Sequence, residues 1–176
     1  NDAQGDLFPP FTEFYGKAEP LVVIRLHGVP YAWIYEAPPT VGRQEDVAFG
    51  DAARLYGLTS PQHPVVGQPL VWRLAWQPSA QIPPGTMLFA HLIGPDGQRY
   101  GQIDLPYPPD GSNPARFQQM ELPLATPATA PAGAYRLLVG LYTPDGQRLP
   151  LGANAADPAL DGPNVLQADQ IELANP

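Results

Sequence analysis

The sequence predicts an all-β protein: an antiparallel β-sandwich of seven to nine strands, immunoglobulin-like or jelly-roll in topology, with an N-terminal extension. Three observations predict it. Pro 25 and Gly 17 in 176 residues break helices too often for a bundle or coiled coil. Short apolar runs recur between turn signals. Within the runs, apolar residues alternate with a period of two, as a half-buried strand requires. Apolar residues make up 44% of the chain, enough for a sizeable core, so wholesale disorder is excluded.

Residues 1–44 read as an extension carrying two short strands and ending in a linker, and residues 45–176 as the sandwich. The first twenty residues mix aromatics with Pro and Gly and form a lead-in, with room for one helical turn around Thr12 to Tyr15. Residues 21–36, LVVIRLHGVPYAWIYE, are rich in β-branched and aromatic types and read as two strands broken at Gly28 and Pro30. EAPPTVGRQ, residues 36–44, is the linker. The sandwich runs follow: DVAFGDAARLYGL, PLVWRLAW, TMLFAHLIG, RYGQIDLP, ARFQQMELPL, AYRLLVGLY and VLQADQIEL. In the second, Leu70, Trp72, Leu74 and Trp76 share one face and are assigned to the core. In the sixth, Tyr135, Leu137, Val139 and Leu141 share one face, opposite Arg136, Leu138, Gly140 and Tyr142.

The pentapeptide PDGQR occurs twice, at 95–99 and 144–148, each time after an apolar strand. Proline presets φ at the first central turn position, aspartate suits the second, and glycine takes positive φ after it. A type I turn closed by a glycine bulge is expected at both, with Gly97 and Gly146 in the positive-φ position. Two good turns account for the repeat; equivalent hairpins in two sheets are the alternative.

Charge and composition narrow the function. Net charge is −8, and Lys17 is the only lysine among scattered arginines. No basic patch exists for a nucleic-acid backbone or for polybasic docking to an anionic membrane. With no cysteine, disulfides, thiolate nucleophiles and Cys-ligated metals are excluded. The longest apolar run, Leu21 to Ile24, is far short of the roughly 20 residues of a membrane span. No signal peptide is visible, and a start at Asn1 reads as a piece of a longer protein.

Catalytic motifs are missing: no phosphate loop, no His-Glu-x-x-His pair, no Gly-x-Ser-x-Gly elbow. Ser60, Ser79 and Ser112 lie beside prolines or in turns. His27, His63 and His91 are far apart, and His91 reads as a core or edge histidine in phase with Met87 and Phe89. Asp157 and Asp161, four residues apart, lack the alternating oxygen ligands and the glutamate of a calcium loop and read as solvated acids, with a weak cation site as the alternative. Asp46 and Asp51 are expected at strand ends. No catalytic residue, metal or cofactor is therefore assigned. The remaining feature is the aromatic row Tyr31, Trp33 and Tyr35, alternating onto one strand face. Buried, it is core or interdomain contact; exposed, it is a stacking platform for sugar rings. Burial of at least two of the three is expected, because three aromatics in water make an apolar patch near the limit for a monomer.

VVIRLHGVPYAWIYE resembles the segment after the last membrane-helix region of bacterial polytopic membrane glycosyltransferases of the protein-mannosyltransferase type. The pattern is R-x-x-G-V-x-Y-A-x-I-Y, matched at Arg25, Gly28, Val29, Tyr31, Ala32, Ile34 and Tyr35. FGDAARLYGL, VWRLAWQP, TMLFAHLIGPDGQRYGQIDLP and PAGAYRLLVGLYTPDGQRLPL resemble the C-terminal extracytoplasmic β-sandwich of these enzymes, so the resemblance spans roughly residues 20–173. The chain departs from the family at GSNPARFQQMELPL, shorter than the family's Arg-Trp-x-x-Gly-Glu segment. The resemblance implies a non-catalytic accessory domain on the outer face of the bacterial cytoplasmic membrane, whose catalytic acid and polyprenyl-phosphate site lie in the parent's membrane domain. Its partners would be that membrane domain and a glycan, and its role to position the acceptor or glycan or to brace the parent. A free-standing exported carbohydrate-binding or adhesin-like module is the alternative, and a small hydrolase on a β scaffold a third.

Overall fold

The computed structural model describes residues 20–37, 39–79, 82–108, 116–152, 162 and 164–176. These form ten strands and no helix: β1 (Val22–Leu26), β2 (Val29–Ile34), β3 (Arg43–Phe49), β4 (Ala53–Thr59), β5 (Pro69–Pro78), β6 (Met87–Ile93), β7 (Arg99–Pro106), β8 (Gln118–Ala125), β9 (Gly133–Tyr142) and β10 (Leu166–Leu173). Eight of them build two four-stranded antiparallel sheets, ordered β3-β4-β5-β8 and β10-β9-β6-β7. β1 and β2 form a separate two-stranded hairpin. The protein is a β-sandwich with an N-terminal hairpin.

The alternating positions supply the core. Leu70, Trp72, Leu74 and Trp76 of β5 are fully buried, and so are Tyr135, Leu137, Val139 and Leu141 of β9. Phe49, Trp76 and Tyr107 stack in a chain, with ring centroids 5.1 and 5.3 Å apart. Trp76 Nε1 and Tyr107 Oη are both buried and have no hydrogen-bond partner among the described residues.

The two sheets are also tied by one carboxylate. Asp169 on β10 is 5% exposed. It accepts hydrogen bonds from Trp72 Nε1 (2.8 Å) on β5, from Ser60 Oγ (2.7 Å) after β4, and from Arg43 Nη1 (3.3 Å) on β3. Arg43 also donates to the Ala168 carbonyl. A buried charge is tolerated only when paired and hydrogen-bonded in this way. A register shift between Gln167 and Asp169 opposite β9 puts Ala168 and Asp169 side by side in the interior. That is the work of a β-bulge.

Both PDGQR turns have the predicted geometry. Gly97 N donates to Gly94 O (3.0 Å) and Gly94 N to Gln98 O (2.8 Å); Gly146 N donates to Thr143 O (2.8 Å) and Thr143 N to Gln147 O (2.9 Å). The two glycines have φ of 79° and 81°. Asp96 and Asp145 close each turn by accepting from the backbone N–H two residues on. The alternative of equivalent hairpins in two sheets does not hold. Both turns belong to the sheet β10-β9-β6-β7. One follows the end of β6 and the other the end of β9, its antiparallel neighbour, so they lie at opposite ends of that sheet.

Two local expectations are also corrected. Pro30 lies inside β2 rather than breaking it. It faces Arg25 where the hairpin register shifts, a place that needs no ladder N–H. Asp46 lies within β3, at a register shift between Gln44 and Val47, where its side chain accepts from Arg54 of β4. Asp51, as expected, is in the turn after β3. The helical turn around Thr12 to Tyr15, Ser112, and Asp157 and Asp161 lie outside the described residues.

Candidate functional site

The hairpin is where this molecule departs from ordinary burial. Leu26-His27-Gly28-Val29 makes a two-residue turn with positive φ at both central positions, 49° at His27 and 82° at Gly28. That is the geometry matching the right-handed twist of paired strands, and glycine enters it without strain. The turn sets the register: Leu26 faces Val29, Val23 faces Trp33, Ile24 faces Ala32 and Val22 faces Ile34.

With that register, and with the extra β2 residue at the shift between Ile24 and Arg25, Val22, Ile24, Leu26, Val29, Ala32 and Ile34 occupy one face, and Val23, Tyr31 and Trp33 the other. Among the described residues, the exposed large apolar side chains are Val22, Ile24, Leu26, Val29, Tyr31, Trp33 and Ile34, all of them in this hairpin. Tyr31 is 72% exposed, Val29 66% and Trp33 53%. The expected burial of at least two of Tyr31, Trp33 and Tyr35 is therefore overturned: Tyr31 and Trp33 are exposed and Tyr35 is half-buried. The physical reason is topological. The hairpin is a sheet of its own, and among the described residues it pairs with neither sheet of the sandwich and no second sheet is layered on it.

The hairpin is fastened at its base. Leu21 N donates to Ile34 O (2.7 Å), and Glu36 Oε2 accepts from Phe117 N (2.7 Å), the residue before β8. Phe117 in turn packs edge-on against Tyr56 of β4, centroids 5.2 Å apart.

A second polar and aromatic surface lies on the outer face of β6, β7 and β9. The Phe89 ring is nearly buried beneath the Arg148 guanidinium, 5.0 Å from its centroid, and beside His91, also at 5.0 Å. Gly140 stands opposite Phe89 in the register, and an added Cβ there would come within 2.3 Å of the ring. Tyr142 Oη donates to Asp104 Oδ1 (3.0 Å); burial and that carboxylate raise the phenol pKa. Phe89, Ile93, Leu138 and Val165 form a small apolar cluster here, which explains why Leu138 is buried on a strand face that reads as mixed.

The structure does not bring the three histidines together. His27 is in the hairpin turn, His63 in the loop before β5, and His91 on the outer face of β6. Ser60 serves Asp169, and Ser79 donates to the Asp51 carbonyl. Among the described residues no group of three or more His, Asp or Glu side chains is placed to hold a metal. Asp169 was not singled out by the sequence; its only trace there is the broken alternation at Ala168-Asp169 in VLQADQIEL. No helix of the described residues is long and apolar enough to cross a membrane. No protein-family model matches the chain, and no curated protein does.

Proposed function

We propose that this chain is a non-catalytic accessory domain on the extracytoplasmic side of a bacterial membrane glycosyltransferase, where it positions the acceptor or glycan, or braces the parent protein. The observation that carries the reading is the hairpin. Its apolar side chains face outward from a sandwich whose own core is complete, and an exposed apolar patch of this kind marks a contact surface. It coincides with the segment that resembles the membrane-proximal part of such enzymes. The domain's membrane partner would meet this element, and the sandwich would project away from it.

Exposure of Tyr31 and Trp33 on one face also favours the second reading, an exported carbohydrate-binding module, because sugar C–H faces stack on such rings. Two experiments separate the readings. The first is the segment preceding Asn1 in the full-length protein: several hydrophobic spans support the accessory domain, and a lone signal peptide overturns it. The second is titration with oligosaccharides followed by tryptophan fluorescence, comparing the wild type with Trp33→Ala. A saturable change lost in the variant supports the glycan platform; no change in the wild type ends it.

A further inference from the structure

From the arrangement of its side chains we infer that the tip of the β1–β2 hairpin is a lipid-docking element that enters the headgroup region of a bilayer. The inference stands apart from the enzyme the domain serves, since it concerns only the hairpin and its surroundings.

Three features choose lipid over a protein surface. The first is that both faces are apolar and exposed at once: Val22, Ile24, Leu26, Val29 and Ile34 on one, Tyr31 and Trp33 on the other. A partner docking on a sheet face covers one of them, and a partner adding a strand covers neither. A surrounding medium covers both.

The second is the order of residues along the hairpin. Aliphatic Leu26 and Val29 flank the turn. Trp33, paired with Val23 three residues behind Leu26, lies about 10 Å behind the Leu26–Val29 pair at roughly 3.4 Å per residue, and Tyr31 lies between. Tip residues that enter about 5–10 Å, the depth typical of interfacial elements, bring Tyr31 and then Trp33 to the headgroup level that such rings favour. His27 at the apex and the outer edges of the ribbon, which no other described strand pairs, keep the insertion shallow, because these polar groups must stay hydrated.

The third is charge. The chain carries −8, yet no carboxylate occurs between Glu19 and Glu36, and the only formal charge in that interval is Arg25. Arg25 is next to the tip, where its Nη1 donates to the Gly28 carbonyl (3.3 Å). The hairpin itself thus brings no carboxylate to the membrane, while one guanidinium meets lipid phosphate. A single arginine is too little for polybasic attraction, so aliphatic and aromatic contact carries the binding and anionic lipid adds to it.

The structure supplies its own reporter. Of the three tryptophans, Trp72 and Trp76 are 0% exposed, so Trp33 alone responds to a medium. The full 176-residue chain is mixed with vesicles of phosphatidylcholine alone, and of phosphatidylcholine mixed equally with phosphatidylglycerol. Co-sedimentation, the emission maximum, and quenching by lipid-borne spin labels are followed. Binding to both vesicles is expected, stronger to the anionic one, with a blue-shifted Trp33 quenched more by a headgroup label than by a mid-chain label. Leu26→Glu or Val29→Glu should weaken partitioning about tenfold or more. Arg25→Gln should weaken binding to the anionic vesicles about fivefold and leave the zwitterionic ones unchanged. Unaltered Trp72 and Trp76 emission shows that the sandwich stays folded in each variant. No binding to either vesicle overturns the inference. So does a lipid-independent blue shift that grows with protein concentration alongside a dimer, which would make the hairpin an interface between copies. Either failure leaves the glycosyltransferase reading to its own test, whether hydrophobic spans occur upstream of Asn1.

Discussion

The sandwich and the hairpin are made of the same kind of strand and end in opposite environments. LVWRLAW in β5 and VPYAWI in β2 both alternate large apolar residues, and both include a tryptophan. Trp72 and Trp76 are completely buried; Trp33 is half exposed. The difference lies in the neighbours. β5 is central in a four-stranded sheet, between β4 and β8, with a second sheet over it. Among the described residues, β2 pairs only with β1. Alternation states that a strand has a face to cover. It does not state whether the chain itself covers that face, and a two-stranded ribbon has too little partner surface to do so.

The sharpest way to break the comparison is to make the same substitution in both regions. Trp76→Ala is expected to cost about 3–5 kcal/mol, the range for emptying a large core site. Trp33→Ala is expected to change global stability by no more than about 0.5 kcal/mol, as at an exposed position. Denaturant unfolding of the two variants measures both. Comparable losses would mean that the hairpin is packed into the cooperative unit.

Asp169 tests the other side of the comparison, the contacts that join the two sheets. Asp169→Ala leaves the buried Trp72 N–H and the Ser60 hydroxyl without this acceptor, while Arg43 keeps Glu45 and the Ala168 carbonyl. A loss of about 1–3 kcal/mol is expected from the stranded donor alone. Chemical denaturation of the variant reads it, and a neutral result would dismiss the carboxylate as a structural tie.

The turns carry the same contrast between hairpin and sandwich. Gly28, Gly97 and Gly146 all have positive φ, and an added Cβ at any of them meets nothing within 4 Å. Valine at Gly97 or Gly146 should therefore cost about 1–2 kcal/mol of global stability through backbone conformation alone. The same change at Gly28 carries the same local strain. It should loosen the hairpin, seen as faster amide exchange across β1 and β2, and leave the sandwich midpoint in place. A drop in that midpoint would join the hairpin energetically to the core.

How much of this was legible follows from the same contrast. The sandwich strands could be read because each presents an alternating face and is bounded by proline or glycine turns. The twin turns could be read residue by residue, since Pro, Asp and Gly each have one suited position. The sheet order could not, because pairing between distant strands leaves no local mark. The exposure of Tyr31 and Trp33 was missed because their alternation is the same as that of Trp72 and Trp76. Asp169 was missed because a bulge turned it inward, against the alternation of its strand. Leu138 lay on a face that reads as mixed until Phe89 and Val165 are seen to cover it.

Titration gives the smallest effects and sorts groups by burial. Burial raises the pKa of Tyr107, so its phenol keeps its proton in the folded state. The stability this represents is intact below the ordinary value of 10.0 and is lost as pH rises beyond it. Alkaline titration by tyrosinate absorbance should show Tyr107 ionising only with unfolding, a step missing in Tyr107→Phe. Asp96 and Asp145 go the other way. The Gln98 N–H and then the Tyr100 hydroxyl lower the Asp96 pKa; the Thr143 hydroxyl and the Gln147 N–H lower that of Asp145. Their contribution is present above the ordinary 3.8 and fades as pH falls below it. Both carboxylates are at the surface, so a slight flattening of the acid limb in Asp96→Asn and Asp145→Asn is the expected result. Carboxyl resonances that titrate at the ordinary value would remove these turn contacts from the account.

The central claim is that one apolar element stands outside a complete core, and aqueous quenching of tryptophan tests it most directly. Iodide or acrylamide added to the lipid-free chain should quench one of the three tryptophans and leave two protected. The accessible, red-shifted component should vanish in Trp33→Phe and persist in Trp72→Phe. Uniform protection of all three, or quenching that survives Trp33→Phe, would contradict the claim and place the hairpin within the packed molecule.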